Sequence, residues 1–306
     1  MLRTMATSQS DRPPQFPVRR ALDLLGYPAD AKLLIIHADD LGMCHSVNAA
    51  IFKALDEQTI SSASAMVPCP GFGEAAEYAK RNPGRDLGIH LTLTSEWEKY
   101  RWGPVLGSQS CASLIDESGY FFGSTKNGKR EIGEVRKELC AQVEQAVRAG
   151  LAPSHLDSHM LFPLENRDLA RTYIELGRHC EVPFLMGTFW TRGLESEIRE
   201  TDILVDNVYS IRPGLPEQEW NNYYLRVLHS LKPGLSQLIV HPGFEDAELQ
   251  AVTAGRAFWG AAWRQRDYDA VMSAEFRTAI RDNNIQVVSW KQLNSLKQTA
   301  STVSEH

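Results

Sequence analysis

Four short segments of this chain end in groups able to hold a cation or move a proton. The apolar run Leu33-Leu34-Ile35-Ile36 leads into His37-Ala38-Asp39-Asp40-Leu41-Gly42, and His90 sits within Gly88-Ile89-His90-Leu91-Thr92-Leu93. Ser154-His155-Leu156-Asp157-Ser158-His159 spaces two further imidazoles and a carboxylate at intervals of two, and Leu238-Ile239-Val240 runs into His241-Pro242-Gly243-Phe244. Two adjacent carboxylates at the end of a buried strand are costly unless a cation or a reacting group holds them. Neighbours on a strand point to opposite sides, so one Asp is free to ligate a metal while the other faces substrate. One carboxylate and two imidazoles form a three-ligand site that leaves positions open for water and substrate, and Asp40, His90 and His159 are assigned as those ligands. Singly, each residue has a blander reading, since a strand-end Asp also caps helices and a lone His is often a hydrogen-bonded core residue. Four such strand ends in one chain are much harder to dismiss.

These groups need elements that bring them together. Apolar runs mark strands at 33–38, 62–67, 87–93, 154–157, 184–187, 203–206, 237–240 and 286–289. Helical patterns fall at 47–56, 73–82, 131–149, 166–179, 217–231 and 274–282. Four branched apolar residues in a row before His37 predict a strand buried on both faces, as in parallel sheets. Alternation of about eight strands with helices predicts an α/β fold, a (β/α) barrel or a distorted TIM-type relative, whose strand C-termini converge on one mouth. Residues 1–18 and 297–306 read as flexible tails around one barrel-like domain over 19–296. Two connections exceed simple turns: 94–130, with Trp97, Tyr100 and Trp102, and 188–216, with Phe189, Trp190, Arg192 and Tyr209. Trp97 and Trp102 either line a substrate cleft or anchor a surface loop.

Smaller signals surround the main four. Asp157 is placed to orient a ligand or His241 by a hydrogen bond. His155 shares its strand face, with a structural role favoured over contact with substrate or metal. His45 and Asn48 lie where the helix after the Asp-Asp turn begins, and capping is their simpler reading. Arg266 and Asp267 fall in a late helical segment and read as a solvated or structural pair.

The bulk properties limit the classes available. The chain has 306 residues, a net charge of −6 and no basic block, which argues against a nucleic-acid partner. A neutral sugar demands no particular charge balance. The five cysteines are dispersed with no Cys-x-x-Cys spacing, as expected of a reducing cytoplasm. No stretch approaches the roughly 18 apolar residues of a membrane span, and residues 1–20 hold no signal-length apolar core.

His-Ala-Asp-Asp-Leu-Gly, Gly-Ile-His-Leu-Thr-Leu-Thr, His-Leu-Asp-Ser-His and Val-His-Pro-Gly-Phe, in that order, resemble the motifs of the YdjC-like carbohydrate deacetylases, which include chitooligosaccharide deacetylases. The similarity runs from about Leu33 to Trp290. It implies a barrel-like deacetylase domain with one divalent metal on Asp40, His90 and His159, Asp39 as catalytic base and His241 as general acid. Two positions depart from the pattern. His37 stands where Asn is common, and Met160-Leu161-Phe162-Pro163 follows His159 where further histidines are common. Both alter the surroundings of the ligands or the substrate wall, not the ligands themselves.

Those roles suit amide hydrolysis, which needs a nucleophile at neutral pH, oxyanion stabilisation and a proton for the departing amine. A bound cation acidifies water, ionised Asp39 would take its proton, and His241 as imidazolium would protonate the amine, predicting a bell-shaped pH–rate profile. Two imidazoles and a carboxylate favour Zn²⁺ by ligand softness, whereas the resemblance points to Mg²⁺. The expected partner is a small carbohydrate, and a homodimer is compatible with such a barrel. The alternatives are a metal-dependent amidohydrolase acting on a non-sugar amide or imide, and an inactive carbohydrate-binding barrel.

Overall fold

The computed structural model describes residues 21–125, 127–256 and 258–303, so the stretch 1–18 read as a tail lies outside the described residues. Strand β1 (Lys32–Leu41) is the axis of a parallel sheet. Its apolar run is buried on both sides: Leu34, Ile36 and Ala38 join the cluster beneath the surrounding helices, while Leu33 and Ile35 join a second, inner cluster. The inner face therefore reads Leu33, Ile35, His37, Asp39, apolar at one end of the barrel and ionisable at the other. Period-2 alternation does the same sorting elsewhere. In β2 (Ser62–Ala65), Ala63 and Ala65 pack outward and Ser62 and Ser64 face the polar interior. In β3 (Leu87–Leu91), Leu87, Ile89 and Leu91 pack outward and His90 does not.

The sheet runs β4 (Leu156–Ser158), β3, β2, β1, β6 (Gly234–Val240), β5 (Asn207–Tyr209), and β7 (Ile285–Val287) pairs with the first residues of β1. It curls, and its two edges are spanned by extended segments that bridge Leu156 to Phe184 and Gly187 to Val205. The distorted (β/α)-barrel architecture expected from the sequence is thus observed. The segments expected as strands at 184–187 and 203–206 contribute single bridges, and the regular strand begins only at Asn207. Their side chains still alternate, with Phe184, Met186 and Leu204 outward and Leu185, Ile203 and Val205 inward.

Around the sheet lie α2 (His45–Asp56), α3 (Phe72–Arg81), α4 (Ile132–Arg148), α5 (Arg167–His179), α6 (Trp220–Ser230) and α9 (Ala274–Asp282), close to the predicted bounds. Asn166 caps α5 by accepting the N–H groups of Asp168 and Leu169, and Ser273 caps α9 by accepting that of Phe276. Three helices were not anticipated, α1 (Ala21–Leu25), α7 (Ala247–Val252) and α10 (Trp290–Val303), the last of which continues into the segment read as a tail; α8 (Ala261–Met272) is the late helical segment that holds Arg266 and Asp267. The inward stripe of α8 includes Trp263, Arg264, Asp267, Tyr268 and Val271. Charges on the buried face cancel the apolar periodicity by which helices are recognised. Among the described residues no helix is long and apolar enough to cross a membrane.

The 94–130 connection is packed. Trp97, Trp102, Leu114 and Phe121 are buried, and Glu138 of α4 accepts the N–H groups of Val105 and Leu106. In the 188–216 connection, Phe189 is 72% exposed.

Gly88 of β3 shows how tightly the interior is filled. A Cβ there would fall on the ring of His155, which is stacked on Trp290 with centroids 5.6 Å apart. Gly88→Ala is expected to lower folding stability by about 1–3 kcal/mol through overpacking, read as a shift in the urea midpoint without a change in slope.

Candidate metal centre

The Asp-Asp pair does not split across the strand as simple alternation predicts. The β1–β2 ladder is irregular between Ala38 and Leu41, and Asp40 adopts a left-handed backbone with φ 66°. That conformation costs a non-glycine residue about 1 kcal/mol or more. Gly42 follows with φ 87° at a point where a Cβ would lie 3.2 Å from the Phe72 Cα. This turn brings both carboxylates to one imidazole. Asp40 Oδ1 is 3.5 Å from His90 Nε2, and Asp39 Oδ2 is 3.9 Å from it. Arg264 of α8 fixes the strained residue, its Nη2 donating to Asp40 Oδ2 at 2.6 Å.

His159 completes a triad, with Nδ1 3.3 Å from Asp40 Oδ1. One donor atom each from Asp40, His90 and His159 lies within 4.8 Å of the others, all three residues being buried. Ligands at about 2.0–2.1 Å in tetrahedral array stand about 3.3 Å apart, close to the spacings observed. Asp40 Oδ1 is buried with no hydrogen-bond partner. The outer imidazole nitrogens are occupied: His90 Nδ1 donates to Asp157 Oδ1 at 2.8 Å and His159 Nε2 donates to Glu96 Oε2 at 2.9 Å. Carboxylates on the outer nitrogens fix the tautomer and turn the remaining lone pairs inward, the arrangement that supports metal-binding histidines. The residues present fit a divalent cation.

The electrostatics follow from burial and these contacts. Burial alone would raise the Asp40 pKa, but Arg264 and His159 hold it well below the carboxylate range. Burial would depress His159, yet Glu96 and Asp40 outweigh it and push it up to about 10. Asp39 is raised to about 6, by burial first and then by the negative charges of Asp157 and Asp40 against the opposing pull of His90. His241 faces Asp39 with Nε2 3.7 Å from Oδ2. Burial, together with the positive charges of Arg264, His90 and His159, pushes His241 down to about 3.

A second layer lies beneath. Asp157 is buried between two imidazoles, its Oδ2 2.8 Å from His37 Nε2 and accepting Ser64 Oγ–H at 2.8 Å. His37 Nε2 is 3.4 Å from Asp39 Oδ1. Asp157 therefore orients His90 and His37, and no direct contact with His241 is observed. The latter is held by Asp267, whose Oδ2 accepts the His241 backbone N–H at 2.9 Å. Oδ1 of Asp267 accepts Trp220 Nε1–H at 2.8 Å and Tyr224 O–H at 2.6 Å. Arg266 reaches Glu217 at 2.6 Å on the surface, so of the two residues read as solvated or structural Arg266 is the solvated one and Asp267 the structural one. Trp97 and Trp102 are buried: the Trp97 ring lies under the Arg264 guanidinium, and Trp102 meets His159 edge-on at 6.3 Å. Asn48 accepts the Gly42 N–H at 2.6 Å and so braces the turn, while His45 pairs with Glu74 at the surface.

Arg264, Glu96 and Asp267 escaped notice in the sequence as members of the site. The first and last lie on the inward face of α8, a face whose charges hide it, and Glu96 opens an irregular loop. Charged residues at i and i+3 of a stripe that also holds Trp263, Tyr268 and Val271 are the signal that could have found Arg264 and Asp267.

A curled parallel barrel with an Asp-His-His triad, a second carboxylate and a facing histidine at its strand C-termini defines a class of barrel proteins built around a candidate metal centre. The family model described as YdjC-like protein matches residues 33–282. A carbohydrate deacetylase of Thermus thermophilus is 34% identical over 263 residues, covering 82% of this chain and 90% of that protein. One from Enterococcus faecalis is 28% identical over 272 residues, covering 86% and 98%. A crystal structure from Enterococcus faecalis, described as that of a candidate cellobiose-phosphate cleavage protein, superposes with a TM-score of 0.73 at 26% identity, covering 86% of this chain and 99% of that one. The chain belongs to the YdjC-like family.

Asp267→Ala would leave the Trp220 and Tyr224 donors and the His241 N–H without their acceptor. A loss of about 3 kcal/mol or more is expected at about 1–3 kcal/mol per buried unsatisfied group. Denaturant unfolding monitored by tryptophan fluorescence measures it.

Proposed function

We propose that this protein is a metal-dependent hydrolase that removes the N-acetyl group from an amino sugar or its oligosaccharide. The observation that carries the reading is the unpartnered Asp40 Oδ1 facing His90 Nε2 and His159 Nδ1, with the outer imidazole nitrogens held by Asp157 and Glu96. The substrate class rests on relatives named carbohydrate deacetylases. Asp40, His90 and His159 would hold the cation, and two imidazoles with one carboxylate favour Zn²⁺ over Mg²⁺. When bound, the cation polarises the amide carbonyl and lowers the pKa of water beside it.

The remaining work falls to side chains of this chain. Asp39 is the general base, taking a proton from the attacking water. Its carboxylate stands beside the triad without belonging to it, and Arg264 engages Asp40 alone of the two. His241 faces Asp39 across 3.7 Å, close enough to exchange a proton with it and to deliver one to the departing amine nitrogen. Asp267 keeps His241 in place through the backbone N–H. His37 steadies Asp39 from the interior side. A cytoplasmic location is part of the same proposal and accords with five cysteines all present as free thiols.

Acetate release from N-acetylglucosamine oligomers is expected, abolished by chelator and restored by Zn²⁺. No release from any N-acetylated sugar by metal-loaded enzyme would overturn the reading. Asp39→Asn is expected to retain metal and lose about 10²–10⁴-fold in kcat, the usual range for a general base, whereas His90→Ala loses the metal as well. Elemental analysis beside kinetics separates the two variants, and equal metal content with equal activity in both would refute the assignment.

A further inference from the structure

We propose that His37, His155 and Asp157 form a second cation site inside the barrel, beneath the first, taking a late first-row divalent ion such as Zn²⁺. One donor atom from each lies within 4.8 Å of the others, and all three residues are buried. The donor set, two imidazoles and a carboxylate, repeats that of the outer triad and suits the same class of ion. Neither the family relationship nor the proposed reaction calls for it, so it stands independently of the deacetylase reading.

The hydrogen-bonding around His155 carries the argument. Ser154 Oγ–H donates to Asp86 Oδ1 at 2.7 Å, so the contact of 2.8 Å between Ser154 Oγ and His155 Nδ1 has the imidazole N–H as donor. The lone pair of His155 is then on Nε2, a fully buried atom with no hydrogen-bond partner. A buried acceptor left bare costs about 1–3 kcal/mol, and the ring is not free to turn away from its position. It is stacked on Trp290 and backed by Gly88. Opposite it, the ring of His37 lies edge-on with centroids 5.1 Å apart.

The outer shell of this triad is built like that of the first. His37 Nδ1 meets Ser62 Oγ at 3.0 Å, Ser62 Oγ–H donates to Asp86 Oδ1 at 2.9 Å, and His155 Nδ1 is tied through Ser154 to the same oxygen. One buried carboxylate, Asp86, thus fixes the outer nitrogens of both imidazoles, as second-layer carboxylates do in metal sites. Its other oxygen accepts the Lys291 N–H at 2.6 Å, which fastens it to the start of α10. Asp157 links the two triads, with Oδ1 on His90 and Oδ2 on His37.

His37 Nε2 and Asp157 Oδ2 share a proton at 2.8 Å. Binding exchanges that proton, released to solvent, for the cation, and opens the pair by about half an ångström toward tetrahedral spacing. Charge favours the exchange. Asp39, Asp40, Asp86, Glu96, Asp157 and Asp267 line the two triads and their shells, and once His90 and His159 serve the outer cation as neutral ligands, Arg264 is the fixed positive charge paired with them among the described residues. A single divalent cation does not offset that excess.

The test is zinc stoichiometry. Full-length protein is stripped with chelator, titrated with Zn²⁺ against a chromogenic competitor and checked by elemental analysis after gel filtration. Wild type is expected to bind two equivalents, His155→Phe one and His90→Ala one. Phe keeps a ring against Trp290 while removing the bare nitrogen. One equivalent in wild type, retained in His155→Phe and lost in His90→Ala, would overturn the inner site while leaving the deacetylase reading intact. One equivalent lost in His155→Phe but retained in His90→Ala would support the inner site and remove the outer one. Two equivalents in both wild type and His155→Phe would place the second ion elsewhere and overturn the proposal. If His155→Phe does not fold, His37→Asn takes its place: one equivalent supports the inner site, and two equivalents overturn it.

Discussion

The carboxylate of Asp157, buried between the imidazoles of His90 and His37, is the contact on which the centre of this barrel depends. A charge removed from water costs several kcal/mol unless its partners replace the lost solvation, and here a ring nitrogen stands 2.8 Å from each oxygen. The pairing connects β1, β3 and β4 across the interior. It also dictates chemistry at a distance, because a His90 ring held by its Nδ1 must present Nε2 to the Asp-Asp turn. Remove the carboxylate and the ring loses its tautomer as well as its orientation.

Helix α8 performs a complementary task from the other side of the mouth. Arg264 takes one oxygen of Asp40 and leaves the other facing the imidazoles, so the carboxylate offers a single donor atom to the triad. One helical turn later Asp267 fixes the backbone of His241. Two residues three apart lie on the same helix face, so the spacing of these charges sets how far the proposed acid stands from the proposed ligand carboxylate. A left-handed Asp40 is tolerated for the same reason. The strain is offset by the buried ion pair with Arg264.

Much of this was legible before any coordinates. The Leu33–Ile36 run foretold a strand with two buried faces, and each ionisable strand end that stood out joined the site. What escaped the sequence did so for physical reasons. Alternation placed Asp39 and Asp40 on opposite faces, but the ladder breaks at Ala38 and a single left-handed residue turns both inward. The bounds and the buried face of α8 were not legible, because its inward stripe carries Arg264 and Asp267, which erase the apolar periodicity by which a buried face is read. The tryptophans of the 94–130 connection suggested a cleft wall, yet Trp97 and Trp102 are buried beneath Arg264 and beside His159. Composition reveals that a loop has aromatic anchors and not which way they face. Ser62-Ala63-Ser64-Ala65 reads as a weak, small-residue strand, and only the fold discloses that its two hydroxyls connect Asp86, His37 and Asp157.

The division of labour within each strand explains how a barrel tolerates such an interior. Barrels of this general kind usually fill their centre with layers of branched apolar side chains. Here that filling is concentrated at one end, where Leu33, Ile35 and Leu235 pack with Leu22 and Trp290. Above it the inward positions of β2, β3 and β4 carry serine, glycine, histidine and aspartate. Cohesion is supplied instead by the outward faces, where alanines and branched residues of the same strands join one continuous cluster with the helices. Because the two faces alternate residue by residue, the chemistry of the interior can vary without touching that cluster. Glycine at 88 is the exception that ties them: it faces inward, yet its missing side chain is what admits the His155 ring to the polar layer. The fold is therefore robust on the outside of the sheet and exacting on the inside, where a single methyl group or a single unpaired oxygen is felt.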